Sequence, residues 1–117
     1  MTTPPIDHYV SDSPAIADLT AQYGDRLQRM TFYESLLAIM LLSSALSDGF
    51  LYPDGDPSIE QQISRYLNTG YPIDHELQAA LAALDDCDER QVTAVLVALV
   101  GYTSAQLSRI AMAGGLN

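Results

Sequence analysis

The side chains in this sequence best suited to chemistry are carboxylates, and they fall in two runs. Asp48, Asp54, Asp56 and Glu60 punctuate a turn-rich stretch, and Asp85, Asp86, Asp88 and Glu89 crowd around Cys87 further on. Hard oxygen donors at that density suit calcium or magnesium. The first run fails the register of a helix–loop–helix calcium site. Counting from Asp48, the sixth position is Pro53 and the twelfth is Ile59, where such a loop needs glycine and a bidentate glutamate. Its acids read instead as turn and cap formers, so no metal site is expected. The second run precedes an expected helix start, where each exposed carboxylate gains about 0.3 to 1 kcal/mol from the helix dipole. The same acids can project as an anionic knob towards arginines or lysines of a partner, raising association rate and specificity.

Other reactive groups give less. Cys87 lies in a negative field that disfavours its thiolate. His8 and His75 are far apart, with no third ligand at metal-binding spacing. No nucleophile elbow accompanies any serine. All five basic residues are arginines (Arg26, Arg29, Arg65, Arg90, Arg109), and without lysine both phosphate-loop and Schiff-base chemistry are lost. The chain is therefore expected to be no enzyme and to carry no cofactor. Seven tyrosines and no tryptophan offer amphipathic contact area, and Tyr52, Tyr71 and Tyr102 fall in expected turns near the acids.

At 117 residues and 48% hydrophobic content, the chain can fill one core. Its net charge of -10 makes direct contact with a nucleic-acid backbone unfavourable. A single cysteine fits a reducing compartment, and the expected location is the cytoplasm. Nothing in the first residues reads as a leader. The most apolar run, Ser35 to Leu46, is bounded by Glu34 and Asp48 and falls short of the roughly 20 residues that span a bilayer, so it predicts a buried helix and no membrane association.

The elements that must position these groups are all helical. Residues 1–12 lack helical periodicity and predict a loose arm, with Ile6, Tyr9 and Val10 as possible pins; residues 13–117 then form one domain. Ser13 before Pro14 predicts a helix over 14–29, with Gly24 as a soft spot. Thr31 and Glu34 form a capping box that opens a helix over 32–47, apolar on nearly every side and expected to be central. Asp48 to Asp56 reads as the longest loop. Asp56 before Pro57 restarts a helix that Gly70 closes, and Asp74 or its predecessor caps a fourth. A fifth helix follows the second acidic run to Gly101, and Thr103 opens a short sixth. The expected fold is a single bundle or orthogonal array of five to six helices.

The apolar helix running into Ser47, Asp48, Gly49, then a turn and Glu60, resembles the TerB-like helical domains associated with tellurite resistance. The stretch from Ala105 to Leu116 is similar to how those domains finish, and the resemblance covers roughly residues 34–116. It implies a cation-responsive stress domain, with only Asp48 and Glu60 matching as ligands; Gly101, Tyr102 and Thr103 stand where that family repeats its acidic turn. In size and charge the chain also resembles small acidic phage inhibitors, including anti-CRISPR proteins and nucleic-acid mimics. The leading expectation is a non-enzymatic acidic module that binds, and blocks, a basic nucleic-acid-binding surface of a partner protein, through Asp85, Asp86, Asp88, Glu89, Asp54, Asp56, Tyr52 and Tyr71. The alternatives are the TerB-like role and a helical subunit, a homodimer for instance, that hides a face of its second or fifth helix.

Overall fold

The computed structural model describes residues 3–51, 54–55 and 58–112. Five α-helices build the fold: α1 (Pro14–Tyr23), α2 (Phe32–Leu51), α3 (Ile59–Leu67), α4 (His75–Ala82) and α5 (Glu89–Met112), with short 3₁₀ turns at Ile6–His8 and Ala83–Asp86. No strand occurs among the described residues. The protein is an all-α bundle.

Several helix starts are encoded locally. Ser13 accepts a hydrogen bond on its hydroxyl from the Ile16 amide, with Pro14 as the first helical residue. At α2 the capping box is complete: the Glu34 amide donates to Thr31 Oγ1 at 3.1 Å, and the Thr31 amide donates to the Glu34 carboxylate at 2.9 Å. Ser58 caps α3, so the expected start at Asp56 and Pro57 lies outside the described residues.

Helix ends depart from expectation in α1, α2 and α5. The first helix stops at Tyr23 instead of running to Arg29, because Gly24 takes a φ of 97° that ends the ladder. Leu27, buried at φ 50°, then turns the chain in the left-handed region. The second helix runs through Asp48 and Gly49 to Leu51, past the expected stop at Ser47, so the loop assigned to 48–56 is helical in its first part. Gly49 continues the helix where it lines a small cavity with Ala45, Leu46, Glu89 and Val92, despite the roughly 1 kcal/mol that a mid-helix glycine costs. The expected fifth and sixth helices are one. Gly101 continues α5 because Ala98, Leu99, Tyr102 and Thr103 on either side of it are buried.

The supposed loose arm is docked along residues 3–12. Ile6 and Val10 are buried in the core. The Ile6 amide donates to the Asp25 carbonyl at 2.7 Å, Arg26 Nε to the Thr3 carbonyl at 2.7 Å, and the Tyr102 hydroxyl to the Pro4 carbonyl at 2.7 Å. These bonds sew the N-terminal segment to the turn after α1 and to α5.

The core draws on every helix, with Leu19, Leu41, Leu42, Leu77, Leu81, Leu84, Val95 and Leu99 almost wholly enclosed. α2 and α5 form its principal pair. They run antiparallel: Ser35 lies near Tyr102 and Gln106 at one end, and Leu46 and Gly49 near Glu89 and Val92 at the other. α2 is not enclosed on all sides as expected. It buries Leu37, Ala38, Leu41 and Leu42 and exposes Leu36, Met40, Phe50 and Leu51. The apolar run judged too short for a bilayer belongs to a helix of 20 residues, and α5 has 24; both are long and apolar enough to cross a membrane by length and composition.

Two tyrosines report on this core. Burial pushes the Tyr23 and Tyr102 hydroxyls up to about 12; at Tyr23 the carboxylates Glu34, Asp74 and Glu76 add to it, and at Tyr102 the neighbouring Tyr9 does. A phenol whose folded pKa exceeds the unfolded 10.0 favours folding while it keeps its proton, and the unfolded chain releases that proton first. The stabilisation is thus complete below pH 10 and is lost as pH climbs towards 12. In a spectrophotometric titration Tyr23 and Tyr102 are expected to ionise last, and Y102F to remove one late proton while loosening the N-terminal segment. Release of both protons together with the exposed tyrosines, in the folded protein, would contradict this.

Candidate functional site

The second acidic run reaches the start of α3, where Glu60, the last acid of the first run, lies 25 residues before Asp85 in sequence. Asp85, on the 3₁₀ turn after α4, accepts from the Ile59 amide at 2.7 Å through Oδ1 and from the Glu60 amide at 3.1 Å through Oδ2. Its carboxylate thereby caps the start of α3 from outside, where unpaired amides and the helix dipole both favour an anion. Ser58 Oγ accepts from the Gln61 amide at 3.1 Å and completes that end.

Asp88 caps α5 in the same way. The Gln91 amide donates to Asp88 Oδ1 at 2.8 Å, and the Asp88 amide donates to Gln91 Oε1 at 3.1 Å. Asp86 and Glu89 are exposed and make no side-chain hydrogen bond among the described residues. The outcome is one acidic end, built where the starts of α3 and α5 converge and containing Glu60, Asp85, Asp86, Asp88 and Glu89. The Ser13 hydroxyl, 3.8 Å from Cys87 Sγ, brings the start of α1 and Asp12 alongside. Among the described residues the ion pairs are Arg26–Asp25 and Arg65–Asp48, so no arginine forms an ion pair within this end.

The remaining expected site residues separate from it. Asp48 accepts from Gln62 Nε2 at 2.7 Å and from Arg65 Nη1 at 2.8 Å, and these bonds, Gln62 foremost, hold its carboxyl below the usual range. Asp48 is therefore committed to α3, and no group of three or more metal-ligating side chains occurs among the described residues. Tyr71 does not join the acids. It packs on Tyr66, ring centroids 6.1 Å apart, near the opposite end of α3, where the Tyr66 and Tyr33 hydroxyls are 3.0 Å apart. Asp54 is exposed in the turn after α2, and Tyr52 and Asp56 lie outside the described residues. Cys87 is half-buried, and neither His8 nor His75 hydrogen-bonds a hydroxyl or thiol among the described residues.

A feature of opposite sign went unnoticed in the sequence. A cleft of about 390 Å³ opens between the turn after α1 and the last turns of α5, walled by Arg26, Gln28, Met30, Ser35, Gln106 and Arg109. No carboxylate lines it. Arg26 and Arg109 line it from positions 83 apart in the sequence, so no local pattern could have shown it. No protein-family model, curated protein or solved structure matches this chain.

Proposed function

We propose that this chain is a non-enzymatic protein-interaction module whose acidic end docks on a basic, nucleic-acid-binding surface of a partner protein and blocks it. The observation that carries this reading is the convergence of the starts of α3 and α5, which sets Glu60 beside the second acidic run without an arginine ion-paired into it among the described residues. Carboxylates fixed by backbone amides are preorganised, so fewer degrees of freedom are lost on meeting a guanidinium or ammonium group. A net charge of -10 steers a basic partner from a distance. In this reading the module offers carboxylates where its partner expects phosphates. It acts in the cytoplasm, in keeping with a lone cysteine, and takes no cofactor.

Asp86 and Glu89 are the acids to reverse, since Asp85 and Asp88 also cap helices. With an arginine-rich peptide as probe, D86R/E89R is expected to bind about 30-fold more weakly than the parent at low salt, given the roughly 1 kcal/mol and more of coupling at each close charge pair. The control D7R/D74R makes the same change in net charge away from this end and is expected to weaken binding only a few-fold. Equal losses in the two variants would show that net charge alone acts, and would overturn the docking site.

A further inference from the structure

We infer that the outer face of the α2–α5 pair is the contact through which two copies of this chain form a twofold dimer. Along α2 the positions 36, 40, 43, 47 and 50 are all exposed, and along α5 so are 93, 97, 100, 104 and 107. Both sets alternate steps of three and four, the spacing of a helix–helix seam, and each runs for about 21 Å at 1.5 Å per residue. The side chains are Leu36, Met40, Ser43, Ser47 and Phe50 on one helix, and Thr93, Val97, Val100, Ser104 and Leu107 on the other. Phe50 is 86% exposed, Val97 54% and Val100 50%. Ile39, Leu46 and Leu96, partly buried and packed on the core, lie on the same two helices.

Three features select a second copy as the occupant. First, neither stripe holds a charged residue, in a chain of net charge -10. Two such chains can approach only through a face that keeps carboxylates out of the contact, and this face does so. A partner chosen by opposite charge would find nothing here to recognise. Second, the ten residues of the two stripes, Leu36, Met40, Phe50, Val97, Val100 and Leu107 with the four hydroxyl residues, together expose on the order of 700 Å², near the roughly 800 Å² each partner buries in a standard interface. Third, Ser43, Ser47, Thr93 and Ser104 recur along both stripes, where small side chains let helices approach closely, and the hydroxyls of Ser43, Ser47 and Ser104 would be left unpaired by hydrocarbon. With no lysine and a large negative charge, the chain would also be repelled by an anionic lipid surface. A twofold axis then sets α2 and α5 of one copy on those of the other, as a four-helix contact.

Sedimentation equilibrium from about 1 to 100 μM tests this. The expected mass is twice the chain mass of 12.7 kDa, with a melting temperature that rises with concentration. S43R and S104R alter side chains already in solvent, so each leaves the monomer fold intact. Each is expected to weaken association roughly a hundred-fold, because symmetry sets two like charges in the contact. Circular dichroism with unchanged helix content confirms that fold. D86R/E89R is expected to keep the dimer mass, which separates this contact from the acidic end. A monomer at every concentration overturns the proposal, as does flotation with zwitterionic or anionic phospholipid vesicles in the absence of self-association.

Discussion

Replacing Leu99 by alanine is expected to lower stability by about 3 kcal/mol, within the 2 to 5 kcal/mol range for deleting a buried leucine side chain. Leu99 is 1% exposed on α5, in the helix pair that forms the centre of the bundle. Its neighbours along the helix, Ala98 and Tyr102, are buried too, so surrounding side chains have little room to collapse into the space. The loss combines the transfer energy of the removed carbons with the cavity left behind. Urea unfolding at constant slope measures it. A cost below 1 kcal/mol would mean that the core does not close around α5 as described. Leu107, exposed on the same helix, supplies the contrast. L107A is expected to change the stability of a single folded chain by less than about 0.5 kcal/mol.

The second large effect falls on the acidic end itself. D85A removes the acceptor for the amides of Ile59 and Glu60, and Ile59 is 2% exposed, so its amide loses its partner where water has little access. Losing a cap costs about 1 kcal/mol, and a buried unpaired amide adds a further 1 to 3 kcal/mol, which puts the expected loss near 2 kcal/mol. The damage should be local. Amide hydrogen exchange is expected to accelerate over the first turn of α3 while Leu41, Leu42 and Leu99 stay protected. D85N keeps an acceptor oxygen without the charge and is expected to recover about half. Uniform acceleration through all helices would refute the local cap.

The same carboxylate shows where reading the sequence succeeds and where it stops. Caps made within three residues were legible: Ser13 with Ile16, and Thr31 with Glu34, follow from side-chain reach alone. Asp85 was expected to serve the next helix, yet it caps α3, 26 residues before it, and no local spacing encodes that contact. Gly49 and Gly101 were read as stops from intrinsic propensity. Gly101 lies inside a helix because its neighbours gain more from burial than the glycine costs, whereas Gly49 continues α2 beside Phe50 and Leu51, which stay in solvent. Gly24 did end its helix, as a residue at φ 97° must. The apolar girth of α2 was visible, but its meaning was misjudged, since a helix apolar all round can be enclosed by its own chain or offered to another. Only the folded arrangement shows that Leu36, Met40 and Phe50 stay in solvent. The cleft lined by Arg26 and Arg109 could not be foreseen, because its walls come from positions 83 apart and from residues 3–12, read as a loose arm.

Four acids sit close together at the acidic end, at a cost in mutual repulsion. The amide ends of two helices offset that repulsion at Asp85 and Asp88, leaving Asp86 and Glu89 free to face outward. A surface built for solubility alone would disperse its charge.

Where a basic ligand settles is the most direct question to put to the molecule. With the ¹⁵N-labelled protein and an arginine-rich peptide, amide shift changes are expected to concentrate at residues 59–60 and 84–91. They should fade together as salt rises from about 50 to 200 mM, since exposed charge contacts are screened over about 8 Å at physiological ionic strength. Shifts spread evenly over the exposed aspartates and glutamates, or gathered on the outer faces of α2 and α5, would contradict the account.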